Sequence, residues 1–526
     1  MEDTKLENQI SVTVVSSFSK DGMGFNQQLE KRFGLWNTVA LQYSLICSGL
    51  AIGTFLSTVI GVGGAPFLIY GFIFAVTLGL IICYSLAELA SAFPHSGAQE
   101  HWSYCIAPHR FKKVLGFSSG ILSCAGWIFS CFSSSYVCSM FIISLVEIYH
   151  PDFVSQNWHY YVVFTGITLL AYVLNVFLIN LLPILTNVLA FIINIGTLFI
   201  VITLLVRAHP KQTVNFVFKE ITNDSGWSSN GVVFFISLLP SIVSVCLFDG
   251  AVHMTDEISN PKRNIPLVMV IANTLSAVVA FICAIIYMFC VVNVENLNNP
   301  VGGEPIIQLM YDAFESKALT TIGVLFLILS FVGSTMLYYT TTSRLFWAFA
   351  KNNGLPFGTY LGSVHNTLKS PVYSITLVVT ICLILGTIMF GSSTALNALL
   401  GSAMVCINMS YIFPIICLLI RSKFALSPQK RFAFFNEDEI QPVLNPSKGV
   451  PYFTLGRFGM PLNVIAVLWV CLLMVWTTFP VYYPVTPDTM NYASAVLGVT
   501  CVIGIILGFT CLKNYSHIVN SSHAYD

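Results

Sequence analysis

Asp249 and His253 stand four residues apart in SVCLFDGAVHMT, a stretch otherwise apolar enough to lie in a membrane. A carboxylate there could pair with an amine or quaternary ammonium, accept a proton, or tie down unwound backbone through hydrogen bonds. The imidazole one helical turn on could be its partner or a hydrogen-bonded bundle residue. Phe248 and Gly250 flank the acid, and the glycine invites a break in the helix. A second break is expected in ICSGLAIG, from Ile46 to Gly53, where Ser48, Gly49 and Gly53 could free backbone N–H groups for a ligand carboxylate. The same small residues would equally serve close helix packing. Tyr84, Trp127, Phe248, Tyr338 and Tyr339 could wall a cavity, since aromatic faces hold quaternary ammonium groups; any of them could also be an ordinary core or lipid-facing ring. Glu88, near the end of the second apolar run, reads as an inner gate seeking Arg or Lys, or as a solvated helix end.

These groups need helices to carry them. The chain is 526 residues, 56% hydrophobic and 9% charged, against about 25% charged in soluble domains, so most of its surface must face lipid. Runs of about 20 residues fall near 37–60, 66–93, 116–147, 160–181, 183–206, 231–254, 266–292, 318–346, 372–390, 393–420, 461–482 and 489–512, which makes twelve transmembrane helices in an all-α polytopic membrane protein. Pro183, Pro266 and Pro371 are expected where helices begin. The two breaks lie in the first and sixth spans, and interrupted helices at matched positions point to a substrate site near the bilayer midplane.

With the N-terminus inside, 19 of the 23 Lys and Arg fall on the inner side, leaving Arg207, Lys211, Lys219 and Lys317 outside. Both termini are then cytosolic, and Asn223, in an Asn-Asp-Ser sequon, lies in an external loop open to glycosylation; the sequons at Asn514 and Asn520 stay inside. The first 30 or so residues lack the apolar core of a cleaved signal peptide and read as a cytosolic tail.

Other chemistry is excluded. GFSSG at 116–120 matches a nucleophile elbow but opens an apolar helix instead of following a strand. His95 and His101 read as solvated loop histidines, with no metal site expected, and no phosphate-binding GxxxxGK[ST] loop exists to drive a pump. A formal net charge of zero gives no reason to expect nucleic acid. The 15 Cys sit in or beside apolar runs, as small packing residues rather than a disulfide framework.

Seven segments in order, ELASAFPHSGAQEHWSYCIAP, Gly126-Trp127, LPILTN, FDGAVHMTDEISNPKRNIP, SRLFWAFAKNNGLP, LGRFG and FPVYYPVTPDTMNYA, give the chain a resemblance from Phe33 to about Lys513. It resembles the amino acid, polyamine and organocation transporter superfamily, in the fungal branch that carries amino acids, GABA and choline. The resemblance implies a five-plus-five inverted repeat in spans one to ten, two additional C-terminal helices, and a site between the broken first and sixth spans. It assigns Ser48, Gly49 and Gly53 to receiving a carboxylate or equivalent polar group, and Phe248, Asp249 and Gly250 to the sixth-span break. Two departures stand out. SGLAIG lacks the Trp that choline carriers tend to have, and Lys351-Asn352 replaces the usual Arg-Asp after the eighth span, making Lys351 an altered gate candidate. Ser334 and Thr335 suit either coupling ion; no Lys in the fifth span could occupy a sodium site, and fungal relatives mostly use protons.

The expected organisation is a tail at 1–35, repeats at 36–206 and 231–420 separated by an external loop at 207–230, a cytosolic loop at 421–460, two helices at 461–512 and a tail at 513–526. The expected function is import of a small nitrogenous solute by alternating access, coupled to H+ without any cofactor, across the plasma membrane or alternatively the vacuolar membrane. The candidate substrate contacts are Ser48, Gly49, Gly53, Trp127, Phe248, Asp249, Gly250 and Tyr339, with Glu88, His253 and Lys351 as coupling or gate residues. The alternatives are a nutrient sensor of the same architecture and a polyamine or vitamin-precursor permease; an intramembrane enzyme lacks any convergent catalytic set. Oligomeric state is left open.

Overall fold

A computed structural model describes residues 29–436 and 439–517. The tail carrying Lys5 and Lys20, and the Asn520 sequon, lie outside the described residues. Among those residues, eleven helices are long and apolar enough to cross a membrane. In chain order, spans 1 to 5 are Leu35–Val62, Gly64–Ala92, Lys112–Tyr149, Asn157–Phe177 and Leu182–Arg207. Spans 7 to 12 are Pro261–Phe289, Lys317–Lys351, Val372–Phe390, Ser393–Arg421, Gly459–Thr477 and Ala493–Cys511. Span 6 takes the twelfth place in two pieces, an apolar stretch Asn230–Ser244 and a 3₁₀ segment Val252–Glu257.

The alternation of spans defines two faces. One carries residues 29–34, the short helix Gln99–Ile106, and the segments 352–371, 422–436, 439–458 and 512–517; we call it the basic face, because the described Lys and Arg concentrate there. The opposite face carries 208–229, 290–316 and 478–492. Spans 3 and 10, 2 and 7, and 3 and 8 form the most closely packed pairs at the centre. Spans 5 and 12 turn Phe191, Leu198, Ile202, Val499, Ile505 and Phe509 outward, a surface that suits hydrocarbon and not water. Side chains end several helices: Ser316 Oγ accepts from Leu319 N at the start of span 8, and Ser392 Oγ accepts from Ala395 N at the start of span 10.

Pro266 departs from expectation. Pro261 opens span 7, and Pro266 lies inside it, where its ring has no N–H for the Lys262 carbonyl. Ser91 Oγ, at the end of span 2, donates to that carbonyl at 2.9 Å and removes the penalty. A proline read as a helix start is therefore a notch repaired from a neighbouring helix.

Candidate substrate and proton site

Both breaks fall on non-glycine residues in the left-handed region, Cys47 in span 1 (φ 49°) and Leu247 in span 6 (φ 58°). Such backbone costs roughly 1–2 kcal/mol per residue and persists only where surroundings enforce it. The enforcing group is Gln42. Its Oε1 accepts from Ala251 N at 2.8 Å and its Nε2 donates to Leu247 O at 3.0 Å, so one amide serves an N–H and a C=O on either side of the break. Gly250 fits this clamp, because a Cβ there would stand 2.8 Å from Gln42 Oε1. No local pattern marks Gln42 in LQYSLI, and the sequence reading missed it.

Asp249 is fully buried just past Leu247. Its Oδ2 accepts from Gln99 Nε2 at 2.5 Å, His253 Nε2 at 2.8 Å and Trp127 Nε1 at 3.2 Å, and Oδ1 accepts from Tyr411 OH at 2.6 Å. The donors come from the Gln99–Ile106 helix and spans 6, 3 and 10. A carboxylate so supplied is an ionised one, its charge spread over four donors. His253 Nδ1 meets the Ser96 carbonyl at 2.8 Å, so both ring nitrogens face acceptors. A neutral imidazole has only one N–H. The geometry thus offers a place for one proton more than a carboxylate beside a neutral histidine carries.

A cavity of about 630 Å³ opens toward the face opposite the basic one, between spans 1, 3, 6, 8 and 10 and under the 481–492 loop. Leu45, Cys47, Cys246, Leu247 and Tyr338 line its deep part, so both left-handed residues meet it. Phe55, Phe331, Tyr482 and Tyr492 add rings, and Ser133 Oγ is buried without a partner. Among the described residues, Asp488 is the one charged side chain in its lining.

The expected contacts divide around this cavity. Asp249 and Trp127 sit beneath its floor, bonded to each other. Phe248 packs on Tyr411, with ring centroids 6.1 Å apart. Ser48 is buried, and its Oγ lacks a partner. Gly49 faces Val279, Cys283 and Thr197, its carbonyl taken by Tyr287 OH, and Gly53 faces Ile306, so both glycines admit close packing. Tyr339 OH lies 3.3 Å from Ser135 Oγ and 3.2 Å from Thr168 Oγ1, away from the cavity, where its neighbour Tyr338 stands instead. One residue along a helix turns a side chain by about 100°, and span 8 is apolar on too many faces to fix that register from sequence.

On the basic face, of the two readings of Glu88, a partner to Arg or Lys and a solvated helix end, the structure has the pair. Glu88 is wholly buried: Oε2 pairs with Arg431 Nη1 at 2.6 Å, and Oε1 accepts from Thr454 and Leu455 N. Arg344 Nε meets Glu257 Oε1 at 2.8 Å, with Arg344 Nη2 and Glu257 Oε2 left without a partner among the described residues; this pair between spans 6 and 8 was not foreseen. Lys351 lies over the Trp347 ring at 4.9 Å. Asn223 is exposed on the opposite face, its Nδ2 donating to Trp227 O.

His95 and His101 are not solvated, because the Gln99–Ile106 helix folds the loop inward. His101 is buried against His517, Nδ1 to Nδ1 at 3.0 Å, and stacks on His95. Burial, with His95 and His517 beside it, holds His101 well below the ordinary 6.5. The ligand atoms of His95, His101 and His517 lie within 4.8 Å of one another. The His95 and His101 rings are 3.9 Å apart and 8° from parallel, however, so their in-plane lone pairs do not converge on one tetrahedral ion. Hydrogen bonds instead link Cys105 Sγ to His101 Nε2, His101 Nδ1 to His517 Nδ1 and His517 Nε2 to Glu100 Oε2, with His101 kept neutral by its burial.

Comparison with known proteins agrees with this architecture. The family model described as amino acid permease matches residues 33–505. A choline transporter of Saccharomyces cerevisiae is 29% identical over 89% of this chain and 79% of its own length. A putative amino acid/polyamine transporter of Macrophomina phaseolina is 27% identical over 87% and 97%. A 7-keto 8-aminopelargonic acid transporter of S. cerevisiae is 26% identical over 92% and 93%.

Proposed function

Because the chain belongs to the amino acid permease family, a family of transporters and not enzymes, we propose that it imports a small cationic or zwitterionic amine by alternating between two openings, with a proton carried on the Asp249–His253 pair. The observation that carries the substrate reading is the cavity lining, whose single charged group is the Asp488 carboxylate among five aromatic rings. An ammonium entering it meets an attractive charge and ring faces; an anion meets no cation. A choline transporter and an amino acid/polyamine transporter among the relatives favour the same class.

The positive-inside rule puts the basic face in the cytosol, so the cavity is the outward opening, at the plasma membrane. Asp249 then serves as coupler instead of substrate ligand, since its oxygens are already taken by Gln99, Trp127, His253 and Tyr411. Removing the shared proton would leave the Nε2 lone pair facing a carboxylate at 2.8 Å, a repulsion that separates them. His253 would thereby release Ser96, and span 6 would part from the Gln99–Ile106 helix. Protonation favours the outward-open arrangement seen here, and deprotonation toward the cytosol favours its opposite.

The test is uptake of labelled choline, ethanolamine, GABA, amino acids and polyamines in a permease-deficient yeast. One amine is expected to accumulate, with Asp488→Asn raising its KM several-fold. A protein abundant at the cell surface that carries none of these solutes would end the proposal.

A further inference from the structure

Gln99 and Glu100 are neighbours on one short helix, and they point to different masters. Gln99 reaches inward to Asp249 Oδ2. Glu100, fully buried, reaches the chain's C-terminal end: Oε2 accepts from Tyr515 OH at 2.5 Å and His517 Nε2 at 3.0 Å, and Oε1 accepts from Asn352 Nδ2 at 3.0 Å. Ser516 N donates to Asn352 O, so the same segment also ties the end of span 8. Tyr515 fills the space among Tyr104, Phe117 and Phe349, with ring centroids 5.7 to 5.9 Å away. Burial pushes the Glu100 carboxyl up, yet its bonds to His517 and Tyr515 outweigh this and hold it below the ordinary value.

We propose that Tyr515–His517 is a strap that positions the Gln99–Ile106 helix over Asp249 and must let go when the basic face opens. The inference rests on the transport reading for its purpose but not for its geometry. Two of the three donors that stabilise the buried Glu100 charge come from the strap. Without them the carboxylate loses more than its burial permits, and the helix moves outward to rehydrate it. That movement withdraws Gln99 from Asp249. The strap also spans the pieces that must separate for release into the cytosol, namely span 8, span 3 and the loop before it. It is thus a positioning element of the outward-open state, and loosening it shifts the population inward. A smaller outward-facing fraction raises the apparent KM by the reciprocal of that fraction without lowering the maximal rate.

Cys105, buried beside His101 on the same helix, reports the release. Inside-out membrane vesicles carrying the full chain are treated with a membrane-impermeant maleimide, and labelling at each cysteine is read by mass spectrometry. Tyr515→Phe with His517→Ala is expected to speed Cys105 labelling at least ~10-fold while Cys83, buried among spans, stays protected. Glu100→Gln makes the same comparison without touching the tail, and a chain ending at His517 keeps the strap and labels as wild type. In uptake assays the double variant raises KM about threefold or more at undiminished Vmax per surface copy. Equal Cys105 rates in wild type and in both strap variants, or a Vmax loss at unchanged KM, would overturn the strap. Faster Cys105 labelling in a protein that transports nothing would leave the strap standing and sink only the transport reading.

Discussion

Gln42 of span 1 accepts the Ala251 N–H of span 6 at 2.8 Å, which makes one helix the missing turn of the other. The two broken spans therefore cannot move independently while this bond holds. Gln42→Ala orphans the buried Ala251 N–H, at a cost of about 1–3 kcal/mol, and leaves the Leu247 carbonyl only its 3.2 Å bond from Gly250 N. We expect uptake to fall at least ~10-fold, with Gln42→Glu intermediate because it keeps the acceptor and loses the donor. Gly250→Ala should resemble Gln42→Ala. Surface abundance measured beside uptake checks both, and near-normal transport by Gln42→Ala would refute the clamp.

Asp249→Asn keeps the shape of the side chain but turns an NH2 toward groups that are already donors. Transport should drop ~10-fold or more, about 1.4 kcal/mol, with expression retained. His253→Gln removes the imidazole bonded to Asp249, so uptake driven by an imposed proton gradient in the wild type should lose its dependence on that gradient. A wild-type rate independent of the proton gradient would defeat proton coupling.

The buried pairs on the basic face predict non-additive stability. Removing one partner of Glu88–Arg431 strands a charge and costs about 3–5 kcal/mol, whereas an apolar replacement of both costs far less. Thermal unfolding in detergent should show Glu88→Leu well below the wild type and the double variant Glu88→Leu with Arg431→Met partly restored.

Acid should loosen the strap. Docked, His101 is held neutral by burial; released, it titrates near its ordinary 6.5. The released form binds more protons below that pH, so docking is full above about 6.5 and weakens as pH falls, by up to tenfold per unit. The groups facing His101 are His95, Cys105 and His517, with Glu100 next in line; Glu100 stays ionised through this range because its carboxyl is held below its ordinary value. Cys105 labelling, divided by the rate of a free thiol at the same pH because the thiolate is the reacting form, should therefore rise between pH 7 and 5.5, and a flat corrected profile would count against a His101 held neutral by docking.

The spans were legible because a run of about 20 apolar residues has few other uses, and Asp249-Gly250 marked the sixth-span break for the same reason. What lay hidden was pairing at long range. Glu88 finds Arg431 and Glu100 finds His517 across hundreds of residues, and apolar sequence on either side says nothing of a partner. Pro266 misled because the hydroxyl that repairs its helix belongs to Ser91. Tyr338 and Tyr339 were separable only by register, which coordinates supply and composition does not.

A hollow of about 630 Å³ is far larger than a choline-sized solute. At roughly 30 Å³ per molecule of liquid, it holds on the order of twenty waters when the passenger is absent. In the proposed cycle, closing over a bound amine would expel most of them, and an impermeant osmolyte on the cavity side would assist that step.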